Sequence, residues 1–174
     1  MDKNTDLQHF LTKVKQAEKG HGLDLSSGED LSMAVMNLIA IEEHMFFNAN
    51  KTGKTKYFEL LNEAREMRKS LLKMIVKDPE GEVWCTSKHL LAASMRVMEV
   101  GTKYQTKGDT KKAYDLFKKS YDLYNLFWAI NLGLTKTGQI SLKNSKETPI
   151  SYPKNDFLGK VSGIIGKILD CCRE

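Results

Sequence analysis

The chain has little of what marks the commonest specialised classes of protein. Three cysteines in 174 residues, two of them adjacent at Cys171 and Cys172, cannot build the framework of a disulfide-stapled domain. No apolar run approaches the ~20 residues that a membrane-spanning helix needs, so the chain is not expected to cross a bilayer. The opening residues lack the charged-then-apolar pattern of a signal peptide, and a cytoplasmic location is the expectation. The net charge of +5 is mild for this length and is not gathered into a dense Lys/Arg face, so no nucleic-acid partner is expected. Glu-x-x-His, which a carboxylate-bridged di-iron bundle requires on two helices, occurs only once, at Glu18 to His21, and no cofactor is expected.

What the chain does have is helical periodicity. Apolar residues make up 41% of it, near the globular norm, and they recur at three- and four-residue spacing. Leu7, Phe10, Leu11 and Val14 predict a short first helix that ends at Gly20 and Gly22. Ser26-Ser27-Gly28-Glu29 has capping-box spacing and predicts the start of a second. Its stripe runs Leu31, Val35, Leu38, Met45 and Ala49, widened by Met36, Ile39 and Phe46, and it stops at Lys51-Thr52-Gly53. Tyr57, Leu61, Ala64, Leu71 and Ile75 carry a third helix. Asp78-Pro79-Glu80 then offers a cap, a proline at the first helical position and acids at the positive helix end. The fourth helix turns at Gly108, and Asp109 caps a fifth whose buried side is Ala113, Phe117, Ser120, Tyr124, Phe127 and Ile130.

Short connections force neighbouring helices to run antiparallel. The expected fold is therefore all-α: an up-down antiparallel four-helix bundle over 26–134. An accessory helix and linker (1–25) precede it, a polar linker (135–156) follows, and an amphipathic tail helix (157–174) ends the chain. In the tail, Phe157, Val161, Ile164, Ile165, Ile168 and Leu169 share a face, with Lys160 and Lys167 opposite. Residues 135–174 carry seven basic and four acidic side chains, a larger surplus than the 20 and 18 of residues 1–134. Such a helix suits a partner protein, a second copy of the chain, or an acidic membrane surface.

Gly101, Tyr104, Ala113, Phe117 and Ser120 keep the spacing of one tetratricopeptide repeat, with Val97 and Val100 where that pattern has Trp and Leu. This stretch resembles the repeat over about 30 residues, but no second copy lies 34 residues earlier, and the repeat needs stacked neighbours for stability. The small residues predict close approach of the two helices. Asn50-Lys51-Thr52-Gly53-Lys54-Thr55 contains the Gly-Lys-Thr ending of a phosphate loop, yet Asn48 replaces the first glycine and a helix precedes it, so it reads as an ordinary connection.

Two constellations carry side chains suited to chemistry. Glu42, Glu43 and His44 sit together, and Glu42 and Arg68 interrupt apolar stripes, which predicts charges drawn into the bundle with partners. Pairing Glu42 or Glu43 with Arg65 or Arg96, with Glu99 nearby and Arg68 finding another acceptor, gives a central polar layer. That layer either fixes helix register or lines a small-ligand pocket. The second constellation is Cys85 with His89, one helical turn apart and thus able to face one metal, though with two of the four ligands a structural zinc site uses. Levelling the helices about their turns sets Glu42 beside Asn62 and Val97 to Glu99, and Cys85 and His89 roughly 12 Å or more away along the bundle.

The aromatic bunching in the last bundle helix predicts that some rings, among them Tyr121, Tyr124 and Trp128, face outward as a contact surface. Two functions follow as expectations. One is a non-enzymatic adaptor whose tail helix docks on a partner protein, a second copy or a membrane surface. The other is a bundle with an internal metal or small-ligand site at the Glu/His/Arg layer, which would admit enzymatic activity.

Overall fold

The computed structural model describes residues 24–77 and 81–134, with Thr12, Lys15, Gln16 and Lys19 as isolated helical positions before them. Among the described residues the chain forms four helices and no strand: α1 (Leu25–Thr52), α2 (Lys56–Ile75), α3 (Glu82–Thr106) and α4 (Thr110–Asn131). The all-α bundle anticipated from periodicity is what forms.

The helix ends follow local chemistry, with two departures from expectation. α1 starts one residue before the capping box: Asp24 is the cap, and its carboxylate accepts the Ser27 N–H at 3.0 Å and the Ser27 hydroxyl at 2.6 Å. The hydroxyl bond, then the amide bond, hold the Asp24 carboxyl below its ordinary value. Glu29, expected to reach back to Ser26, is buried. α3 begins at Glu82, behind Gly81 at φ 103°, and not at Pro79; Asp78–Glu80 lie outside the described residues. Asp109 caps α4 as expected, accepting the Lys112 N–H at 3.1 Å. α1 ends on Gly53, whose φ of 68° puts its N–H on the Ala49 carbonyl at 2.9 Å.

The broadest packing lies within two antiparallel hairpins, α1 with α2 and α3 with α4, and a smaller contact joins α1 to α3. The α3–α4 hairpin is close-set. Ser87, Ser94 and Gly101 recur every seven residues along α3 and each meets α4. Ser87 Oγ accepts from Asn131 Nδ2 at 2.9 Å. Ser94 and Ser120 exchange bonds, each hydroxyl donating to the other's carbonyl, at 2.9 and 2.7 Å. A Cβ on Gly101 would stand 2.6 Å from Phe117 Cε1. Small side chains at a heptad period thus bring the backbones together, the approach the repeat-like spacing predicted.

The core joins the two hairpins through Val35 and Met36 of α1, Leu72 and Ile75 of α2, Leu91 of α3, and Tyr124, Phe127 and Trp128 of α4. All lie in the halves of the helices away from the turns at Gly53 and Gly108. Near those turns large apolar side chains remain in solvent, among them Phe47 (56% exposed), Phe58 and Tyr114. One buried polar contact ties α1 to α4. Ser32 donates to the Glu29 carbonyl at 2.7 Å, so its oxygen accepts from the Tyr124 hydroxyl, also at 2.7 Å.

Candidate functional site: a charged cleft and an apolar groove

Glu42 faces α2 because it stands one turn from Ile39 and Phe46 on the side of α1 that meets that helix. Burial to 12% exposure obliges its carboxylate to be matched, and it is matched twice. Oε2 accepts Arg65 Nε at 3.0 Å, and Oε1 accepts Arg68 Nε at 2.5 Å. Arg65 is half exposed, whereas the Arg68 side chain keeps 6% exposure. The expected partner of Arg68 was some other acceptor; in fact one carboxylate holds both arginines. Glu43, beside it, takes Arg96 of α3 in a solvent-exposed pair.

These residues border a solvent-open cleft of about 510 Å³ among α1, α2 and α3. Glu42, Glu43, Arg65, Arg68, Lys88 and His89 supply its polar lining, and Ile39, Phe46, Leu61 and Ala92 an apolar wall. Lys88, His89 and Ala92 of α3 line the same cleft as Glu42, while Arg96, next to the expected Val97 to Glu99 level, reaches Glu43. α3 meets α1 through a short contact, with Met36 and Met95 lining one groove and Glu43 and Arg96 paired.

The remaining sequence candidates divide. His44 is exposed, with Nε2 3.0 Å from Asn48 Nδ2, and borders a shallow depression with Glu43, Phe47 and Arg96. Glu99 is exposed and outside the layer, because its level on α3 is a turn beyond Arg96. Cys85 is exposed, and no group of three His, Cys, Asp or Glu side chains that could hold a metal occurs among the described residues. Tyr124 and Trp128, expected at a contact surface, are core residues at 7% and 3% exposure; Tyr121, at 45%, does face solvent. The aromatic helix is wrapped because its run from Tyr124 to Ile130 is buried on every side. Phe157, Val161, Ile164, Ile165, Ile168 and Leu169 lie outside the described residues.

On the opposite flank of α1 the structure sets Tyr121 and Tyr124, two of the expected contact residues, beside methionines that sequence reasoning did not single out as a site. Met33 and Met36 of α1, Met95 and Met98 of α3, and Phe117 and Tyr121 of α4 line a groove of about 390 Å³. Met33 and Met98 keep 47% and 43% exposure, so the groove is open. The signal was present as two Met-x-x-Met spacings, one on each of two facing helices. No helix of the described residues is long and apolar enough to cross a membrane. Compared with known proteins, the chain matches no family model, no curated protein and no solved structure.

Proposed function

We propose that this protein is a non-enzymatic helical interaction module: a bundle that serves as platform, and a C-terminal amphipathic helix over 157–174 that docks on a partner protein or a membrane surface. The observation that carries the reading is the open groove of four methionines and three aromatic rings at the junction of three helices. Unbranched thioether side chains adapt to differently shaped apolar surfaces, and grooves of this composition suit amphipathic helices. The tail supports the same reading from the sequence, with one apolar face and lysines opposite it. Gly159, Gly163 and Gly166 lower its helix propensity, so its order depends on docking.

The test compares the full chain with Ile164→Glu/Ile168→Glu and with a chain ending at Leu134, in crosslinking from cell extract and in sedimentation with vesicles of acidic and neutral lipid. The expected outcome is a captured partner or vesicle binding for the full chain and loss of both for the two variants, with helical circular dichroism retained. Recruitment that survives removal of residues 135–174 sinks the proposal.

A further inference from the structure

The charged cleft lies apart from the methionine groove and holds an imbalance that the interaction reading leaves unused. Three cationic side chains, Arg65, Arg68 and Lys88, border it. Of its two carboxylates, Glu43 is engaged by Arg96, which leaves Glu42 alone against the three. Both arginines approach Glu42 through Nε, so neither forms the two-pronged pair that would occupy its terminal nitrogens. Arg68 decides the matter. It is one of the few charged residues in the interior, at 5% exposure, its bond to Glu42 is made through Nε, and the space it borders is the cleft. A guanidinium drawn inside and bordering a cavity suits a planar or tetrahedral oxyanion, which its fork of donors can meet. Glu42 holds the guanidinium at Nε, a single contact that does not use the terminal nitrogens.

We infer that this cleft is a binding site for a small organic phosphate, with Arg68, Arg65 and Lys88 on the phosphoryl oxygens and the Ile39, Phe46, Leu61 wall on the organic part. Two unmatched positive charges suit a phosphomonoester, which carries close to two negative charges near neutral pH. A monocarboxylate satisfies only one. His89 adds a ring nitrogen at the α3 side of the cleft. The volume of about 510 Å³ is in the ordinary range for a metabolite-sized ligand. Phe46, 49% exposed at the rim, gives the organic part an aromatic surface.

Isothermal titration of the full chain with phenyl phosphate, inorganic phosphate and benzoate tests the site, with phosphorus-31 line widths as a second readout. Phenyl phosphate is expected to bind, inorganic phosphate more weakly for want of the apolar wall, and benzoate about tenfold more weakly than phenyl phosphate, the loss that goes with one charge-assisted contact. Lys88→Glu, at a partly exposed residue with no ion pair, is expected to lower phenyl phosphate affinity by about tenfold or more, while Lys111→Glu in the first turn of α4, outside the cleft lining, leaves it unchanged. Arg68→Lys keeps the charge on Glu42 but loses the fork, and is expected to weaken binding comparably; should it fail to fold, Lys88→Glu still decides. Three results overturn the inference: no binding of phenyl phosphate at millimolar concentration, equal loss in Lys88→Glu and Lys111→Glu, or benzoate binding as tightly as phenyl phosphate. None of them bears on the tail, so the interaction reading stands or falls separately.

Discussion

The cleft at Glu42 and the groove at Met36 lie on the same helix less than two turns apart, yet one is walled by charge and the other by thioether and aromatic carbon. Charge drawn inside must be met by a partner in fixed geometry, because an unmatched buried ion is costly. Thioether surface imposes no such condition, and it can be left half open and repacked. The two flanks of α1 therefore differ in tolerance. The charged side is rigid, with a two-arginine clamp that a single substitution breaks, while the apolar side accepts many shapes.

The sharpest way to break the comparison is Glu42→Ala. It leaves Arg68 buried without an acceptor, and a loss of about 3–5 kcal/mol in urea-induced unfolding is expected. Replacing both partners, Glu42→Leu with Arg68→Met, is expected to restore most of that stability, since a well-packed apolar pair often equals a buried ion pair. A single-mutant cost below about 1 kcal/mol would show that the clamp is an ordinary surface pair. On the apolar flank, Met36→Ala at 7% exposure is expected to cost about 2 kcal/mol, at the low end for a buried methionine because its surroundings are open on one side. Met98→Ala, in the same groove but 43% exposed, should change stability by less than about 0.5 kcal/mol.

Smaller effects sharpen the boundaries of the two flanks. Gly101→Ala gains helix propensity but drives a methyl into the ring of Phe117, which lines the groove. A net loss of about 1 kcal/mol is expected, with weaker binding of any groove ligand; a stabilised variant would mean that the hairpin is looser than its geometry implies. Arg96→Ala removes the exposed pair with Glu43 and should cost at most about 1 kcal/mol, less in high salt. The smallest effect is a pH dependence at the start of α1. The Asp24 carboxyl is held below its ordinary value by Ser27, so its contribution is complete above the unfolded carboxyl range and is lost as pH falls through the lowered folded value. Asp24→Asn keeps a capping oxygen but cannot titrate; a scan of stability against pH should lose this component in that variant, and an unchanged scan would exclude the assignment.

The helices were legible from spacing because each buried stripe repeats locally. Val35 and Ala49, Leu61 and Ile75, and Ala113, Ser120 and Phe127 are inside as their periodicity requires. Interruptions were legible too: Glu42 and Arg68 broke their stripes because they meet each other. What spacing could not supply was the register between hairpins. Turn lengths fix partners within a hairpin, but α1 and α3 are not joined by a turn, so spacing alone does not say which of their residues line a common cleft. For that reason Lys88 and His89 arrive at the Glu42 cleft unannounced. The fate of the aromatic rings was equally hidden, since Tyr121 and Tyr124 differ in burial while standing one turn apart on the same helix.

The concentration of packing inside two hairpins has a kinetic consequence. Contacts between helices joined by a short turn close small loops, so each hairpin can gain most of its structure before the other is present. The junction between the hairpins, where Ser32, Val35 and Met36 of α1 meet Tyr124 of α4 and its core neighbours, closes the largest loops and should form last. The same ordering run backwards makes that junction the first part of the core to open, so hydrogen exchange should divide the protected amides into two units, one for each hairpin.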